Sequence, residues 1–232
     1  MGGQDIRIQS RGGGSFDCYL AAPAGTGKVP AVVLASAIHG VDADLRAIAD
    51  EFAAQGFLAA APDLFWRTEA PGPLGRDDPR LKPRGQPRLE RIRAGEADMA
   101  DTLAEVKRHP RHNGRAMAMG FCYGGPFAVL GPARLGYDAG MGCHSSQMGD
   151  YLDAFEGLQK PVCLVWGDRD DWAPPALLDK YRALAARNRG LELHVIPGIL
   201  HGFMMPGAPA AYDARTRAFS MERARALLQG LR

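Results

Sequence analysis

The chain has 232 residues, 46% of them hydrophobic and 23% charged, with a net charge of +2. That composition supports one sizeable buried core and excludes a disordered, collagenous or coiled-coil chain. The near balance of charge excludes a polycation that gathers nucleic acid or anionic membrane over its whole surface. No apolar run approaches the roughly 18–20 residues of a membrane span, and the opening MGGQDIRIQS lacks the apolar stretch of a secretory leader. Cys18, Cys122, Cys143 and Cys163 are widely spaced, without a CxxC or a zinc-type Cys/His cluster. A reducing, cytoplasmic setting with free thiols and no metal is therefore expected.

The segments DIRIQS and SFDCYLAAP alternate in polarity around RGGG, which predicts an N-terminal antiparallel hairpin. VPAVVLAS (29–36) is continuously apolar, the pattern of a strand buried on both faces. Asp42 or Asp44 can cap a helix that runs to about Gln55 and stops at Gly56. FLAAAPDL (57–64) reads as the next buried strand. Residues 66–87 carry five prolines and many charges, a long surface excursion of the kind that usually serves function. A helix of mixed charge over about 88–109 follows. Further strands are expected in RAMAMG, 136–143, 161–168 and 191–198, with helices over about 174–188 and 213–231. Strands alternating with helices, most of the strands wholly apolar, predict an α/β domain over 1–232: a mainly parallel central sheet covered on both faces. Ligands of such sheets gather at the carboxyl ends of the strands.

The stretch AMAMGFCYGGPFAVL is a strand, a glycine-flanked turn and a helix, with Gly120, Cys122 and Gly124 as G-x-C-x-G. A strand that reverses sharply into a helix holds its middle residue at positive φ and lifts that side chain free at the top of the sheet. Small neighbours are needed where the two backbones cross. The helix N-terminus favours a thiolate there, and the Tyr123 N–H points where an oxyanion would form. A nucleophile needs a base and the base an orienting group. WGDRDDWAPP and PGILHGF each follow a predicted strand, so Asp170 and His201 fall at strand ends, with Asp168 and Asp171 as rivals for the acid. The order nucleophile, acid, histidine is that of α/β-hydrolases. The plain alternative is a glycine-rich turn with an inert buried cysteine.

On AAAPDLFWR, GFCYGG, GDRDDWAPP and LHGF, the sequence resembles the dienelactone hydrolase family of α/β-hydrolases over nearly its whole length. The resemblance implies a cytoplasmic, cofactor-free hydrolase that cleaves a small carboxylic ester or lactone through an acyl-cysteine. It implies Cys122 as nucleophile, His201 as base and Asp170, four residues before Pro174, as orienting acid. It also implies an oxyanion hole from the N–H groups of Ile38 and Tyr123. Two positions depart from the family pattern: Ala37 stands where a glutamate touches the resting cysteine, and Met205 where an arginine grips the substrate carboxylate. Arg88 is the candidate for a partner arginine, so a substrate other than the dienelactone, more apolar or simply different, is expected. Rival readings are a thioesterase or general carboxylesterase on the same triad, and a non-catalytic hydrolase-fold protein that binds a ligand or senses thiol chemistry.

His39, beside the oxyanion loop, either contacts substrate or only shapes the loop. His144, in MGCHSSQM, precedes the acid in the chain and reads as a pocket wall rather than the base. His109 and His112 fit a helix end, and His194, Cys18, Cys143 and Cys163 read as structural. Residues 76–93 hold seven Arg/Lys against three Asp/Glu, a net of +4. Over the site they would concentrate an anionic substrate; elsewhere they are a solvated face. No nucleic-acid motif accompanies them. A small-molecule ester, no membrane and a monomer or homodimer complete the expectation.

Overall fold

The computed structural model describes residues 2–232. Its sheet has eight strands: β1 (Gln4–Gln9), β2 (Ser15–Ala21), β3 (Val29–Ala35), β4 (Leu58–Pro62), β5 (His112–Phe121), β6 (Ala139–Cys143), β7 (Val162–Gly167) and β8 (Leu191–Ile196). They lie in the order β1-β2-β4-β3-β5-β6-β7-β8. β1 and β2 form the antiparallel hairpin, β2 joins β4 antiparallel, and the six strands from β4 to β8 run parallel. This is an α/β-hydrolase fold, and the expected hairpin is present. The helices are α1 (Ala43–Ala54), α2 (Leu81–Arg84), α3 (Arg88–Arg108), α4 (Phe127–Arg134), α5 (Pro175–Arg187) and α6 (Ala214–Gln229). The α1 cap is Asp42, whose carboxylate accepts the Leu45 N–H at 3.0 Å.

Successive strand residues face opposite sides of the sheet, so each buried strand feeds two cores. In β3, Ala31, Val33 and Ala35 enter one cluster with Phe65, Met99, Phe127 and Trp166, while Val32 and Leu34 enter the other with Phe52, Phe203 and Leu228. In β7, Leu164 and Trp166 face the first cluster; Cys163 and Val165 face the second. Continuously apolar strands are the sequence form of this two-sided burial.

The excursion 66–87 contains only α2 as regular structure and lies folded onto the molecule. Gly72 N–H donates to Asp63 Oδ2 (2.8 Å), Leu74 N–H to the His39 carbonyl (2.9 Å), and Arg84 Nη2 to the Gly72 carbonyl (2.9 Å). Arg84 is 3% exposed and stacks 4.0 Å from the Phe65 ring centroid. Burial pulls its pKa down to about 10. Arg76 pairs with Asp44 and Arg80 with Asp78. Much of the basic run is therefore engaged with protein groups, and Arg76 finds its acidic partner outside the run.

Candidate active site

β5 ends at Phe121, and the chain turns through one 3-10 turn, Cys122–Gly124, before α4. Cys122 has φ +47°. The glycines explain how tightly this turn sits. A Cβ on Gly120 would lie 2.2 Å from the Gly124 carbonyl oxygen, and one on Gly124 would lie 2.5 Å from the Ala35 carbonyl oxygen. A Cβ on Gly125 would strike Ser145 at 2.3 Å. The elbow is thus wedged between the end of β3 and the turn after β6.

His201 presents Nδ1 to both Asp170 oxygens at 2.9 Å. Asp170 is 3% exposed and its Oδ1 also accepts the Trp172 N–H at 2.9 Å. The rivals lie outside this pairing: Asp168 Oδ1 accepts the Gly198 N–H at 2.7 Å, and both Asp168 and Asp171 are exposed. His201 Nε2 is buried and makes no hydrogen bond of standard geometry, while the Cys122 thiol interacts with that imidazole. Burial opposes a charge on either group. His201, Ser146 and Arg88 outweigh it for Cys122 and hold its thiol below the ordinary range. Asp170 and the Cys122 thiolate outweigh it for His201 and raise the imidazole to about 10. The other three cysteines move the opposite way: burial pushes Cys18, Cys143 and Cys163 up. Only at Cys122 do the surroundings favour a thiolate and an imidazolium together.

Two backbone N–H groups are oriented by what holds their peptides. The Cys122 carbonyl accepts from Gly125 N–H and Ser146 N–H, both at 3.0 Å. In the planar trans peptide the Tyr123 N–H then points the opposite way. The Ala37 carbonyl accepts from Gly40 N–H at 3.0 Å, which fixes the Ile38 N–H likewise. Gly124 N–H donates to the Ser36 carbonyl at 3.0 Å and ties the two segments together. Gly85, at the end of the excursion, packs against both the Ile38 and Tyr123 side chains, and its carbonyl accepts the Tyr123 hydroxyl at 3.0 Å.

Arg88 lies beside the elbow, but its Nη2 is committed to backbone: the Tyr123 carbonyl at 3.2 Å and the Ser146 carbonyl at 2.9 Å. Its guanidinium stacks 4.4 Å from the Tyr123 ring centroid. His39 gives its carbonyl to the excursion, and the charges acting on its ring are Arg76, Asp42 and Arg84. Met205 is 4% exposed, inside the apolar cluster with Phe203, Met204 and Leu228.

Sequence reasoning missed Ser146 and Trp172. Ser146 holds the Cys122 carbonyl, and the Trp172 ring lies 6.3 Å from that of His201. The run His-Ser-Ser at a strand's carboxyl end was the available signal for the first. Among the described residues one group of possible metal ligands converges, Cys163, Glu192 and His194. There Glu192 already accepts from His194 Nε2 (2.6 Å) and Arg223 Nη2 (2.8 Å). A guanidinium on the carboxylate argues for an ionic network between β8 and α6, not a cation site.

The model of the dienelactone hydrolase family matches residues 16–231. The chain belongs to the dienelactone hydrolase family. A protein of Azospirillum brasilense assigned as a carboxymethylenebutenolidase is 30% identical over 93% of this chain and 96% of its own length. The carboxymethylenebutenolidase of Pseudomonas putida is 26% identical over 95% of this chain and 93% of its own. A solved dienelactone hydrolase-like promiscuous phosphotriesterase from metagenomic libraries superposes with a TM-score of 0.81, covering 100% of this chain and 99% of that one at 18% identity. That last likeness speaks to the fold of this family member alone.

Proposed function

We propose that this family member hydrolyses a small carboxylic ester or lactone through an acyl-cysteine on Cys122, with His201 as base and Asp170 as its orienting acid. Family membership makes it a carboxylic ester or lactone hydrolase. The observations that support the finer reading are a positive-φ elbow cysteine whose thiol is lowered by the nearby His201, and an imidazole gripped by a buried carboxylate at 2.9 Å.

The Cys122 thiolate attacks the carbonyl carbon, and the charge formed on the carbonyl oxygen is received by the N–H groups of Tyr123 and Ile38. As the tetrahedral species collapses, His201 gives its Nε2 proton to the departing alkoxide. An ester then releases an alcohol, and a lactone opens to a tethered hydroxyl. His201 next takes a proton from water, the hydroxide adds to the thioester, and the second collapse expels the thiolate and leaves a carboxylic acid, which gives its proton to solvent as it departs as the carboxylate. Asp170 keeps the proton of neutral His201 on Nδ1 and stabilises the imidazolium, without taking the proton itself.

Trp172 (47% exposed) beside His201 and Leu200 (41% exposed) preceding it support a substrate with an apolar part. Arg88 remains the proposed contact for a polar or anionic substituent through the edge it does not spend on backbone, with His39 and Met205 as lesser wall residues. The reading also takes the chain as one cofactor-independent domain, cytoplasmic because its nucleophile must stay reduced, acting on small molecules as a monomer or homodimer.

The test is hydrolysis of an activated acetate, a butyrate, a thioester and a dienelactone by wild type and Cys122→Ala. Turnover abolished by the substitution, with an acylated Cys122 trapped in a rapid acid quench, is the expected result. No turnover by folded wild type on any member would overturn the proposal in favour of a binding or thiol-sensing protein.

A further inference from the structure

Among the described residues only three that are not glycine have positive φ: Cys122 (+47°), His144 (+40°) and Gln147 (+52°). One is the elbow. The other two bracket the turn after β6 that meets it. Left-handed backbone is unfavourable at a side-chain-bearing residue and persists where the surroundings impose it.

His144 carries a second cost. It is 1% exposed, and neither ring nitrogen has a hydrogen-bond partner. A buried imidazole left so is expensive compared with an apolar side chain of similar size. What the ring does have is neighbours. Its centroid lies 5.0 Å from that of His201 at an interplanar angle of 75°, and 5.1 Å from that of Phe203 at 81°. His201 is therefore bounded by Asp170 at Nδ1, by the His144 ring at 5.0 Å, and by Trp172 at 6.3 Å. The backbone around His144 is fixed as firmly as its ring. His144 N–H donates to the Val165 carbonyl (2.9 Å), Trp166 Nε1 to the Ser145 carbonyl (2.8 Å), and Arg88 Nη2 to the Ser146 carbonyl (2.9 Å).

We propose that His144 is a positioning residue for the base: its buried ring, held by strained backbone, packs edge-on against His201 and keeps that imidazole turned between Asp170 and Cys122. The proposal rests on the triad reading above. Asp170 alone fixes one nitrogen and leaves the ring free to rock about that contact, because both carboxylate oxygens are equidistant from Nδ1. A ring packed edge-on against it removes that freedom, and errors of about 1 Å at a reacting group cost on the order of 10²-fold in rate. Burial and the neighbouring His201 charge hold the His144 pKa far down, so it stays neutral and does not compete for the proton. The groups that bear on this proton are Asp170, Cys122 and His144 around His201, and His201, Ser146 and Arg88 around Cys122.

The test compares wild type with His144→Asn, which tolerates left-handed backbone but lacks a ring, and His144→Phe, which restores a ring. The readouts are the pH profile of Cys122 alkylation by iodoacetamide, kcat and KM on the best ester, and melting temperature. The expected result is an Asn variant whose alkylation profile moves toward that of an ordinary thiol, with kcat down on the order of tenfold and KM nearly unchanged. The Phe variant brings the profile back. Wild-type profiles in both variants, or an Asn variant altered only in melting temperature, would overturn the proposal. A Phe variant as impaired as Asn would also overturn it, by assigning the effect to a ring nitrogen. Failure of the triad reading shows separately, as a wild type that alkylates like a free thiol and does not turn over.

Discussion

Gly124→Ala tests the elbow most sharply. A Cβ there would stand 2.5 Å from the Ala35 carbonyl oxygen, 2.6 Å from its carbon and 2.7 Å from the Ser36 carbonyl oxygen. All three are backbone atoms, so no rotamer relieves the clash. Ordinary contact begins near 3.4 Å. The elbow and the end of β3 must therefore separate by about 0.9 Å, or the cores behind them must give, and close-packed interiors give little. Overpacking of this kind costs roughly 1–3 kcal/mol of stability. The same movement stretches the 3.0 Å bond from Gly124 N–H to the Ser36 carbonyl, which holds the Tyr123 and Ile38 segments in register. The two proposed oxyanion donors, displaced by nearly 1 Å, should lower kcat by on the order of 10²-fold. His201 and Asp170 lie in the loops after β8 and β7, so Cys122 alkylation should stay within about threefold of wild type, since thiolate formation and not the proposed oxyanion hole governs it. Steady-state kinetics, iodoacetamide labelling and thermal unfolding on one preparation separate these effects. Wild-type kcat in a protein that melts normally would refute the placement of the hole between these segments. Alkylation falling in step with kcat would show that the substitution damages the whole site.

The Cys122 and His201 directions give an expected pH profile. The thiol sits below its ordinary value and the imidazole at about 10, so the thiolate–imidazolium pair prevails between the two. The rise in alkylation should be centred below the ordinary thiol range, and the rate should change again near pH 10; a single rise centred at about 8.5 would refute the pair. Away from the site, Asp98 is fully buried and its carboxylate accepts from Arg67 Nη1 at 2.5 Å. Arg67→Leu should cost about 3 kcal/mol at neutral pH by leaving that charge uncompensated. Burial already raises the Asp98 pKa. The folded state therefore binds its proton more tightly than the unfolded one, and the deficit should shrink as pH falls. Urea melts at two pH values measure this, and a deficit independent of pH would refute the assignment.

The sheet was legible because two-sided burial needs continuously apolar strands, and VPAVVLAS and PVCLVWGD advertise that directly. The elbow was legible because backbone crossings exclude side chains, and Gly120 and Gly124 are the only residue type that fits there. The proposed triad could be ordered along the chain from strand ends, yet sequence left Asp168, Asp170 and Asp171 as close neighbours. Only the folded loop shows which of the three is buried against His201, since a carboxylate's reach depends on the direction of its Cβ and not on its position in the chain. Arg88 illustrates the same limit. Its type suggested a grip on substrate, while its Nη2 turns to two backbone carbonyls brought near by the meeting of α3, the elbow and the turn after β6. His144 was discounted as the base by chain order. Its contact with His201 joins the turn after β6 to the loop after β8, a pairing no local pattern encodes. The sequence by itself pointed to the residues proposed for acyl-transfer chemistry and to the edge of the sheet at which they lie. Tertiary structure decided which carboxylate, which ring and which N–H meet there, because hydrogen bonds and ring contacts depend on distances of a few ångström between segments far apart in the chain.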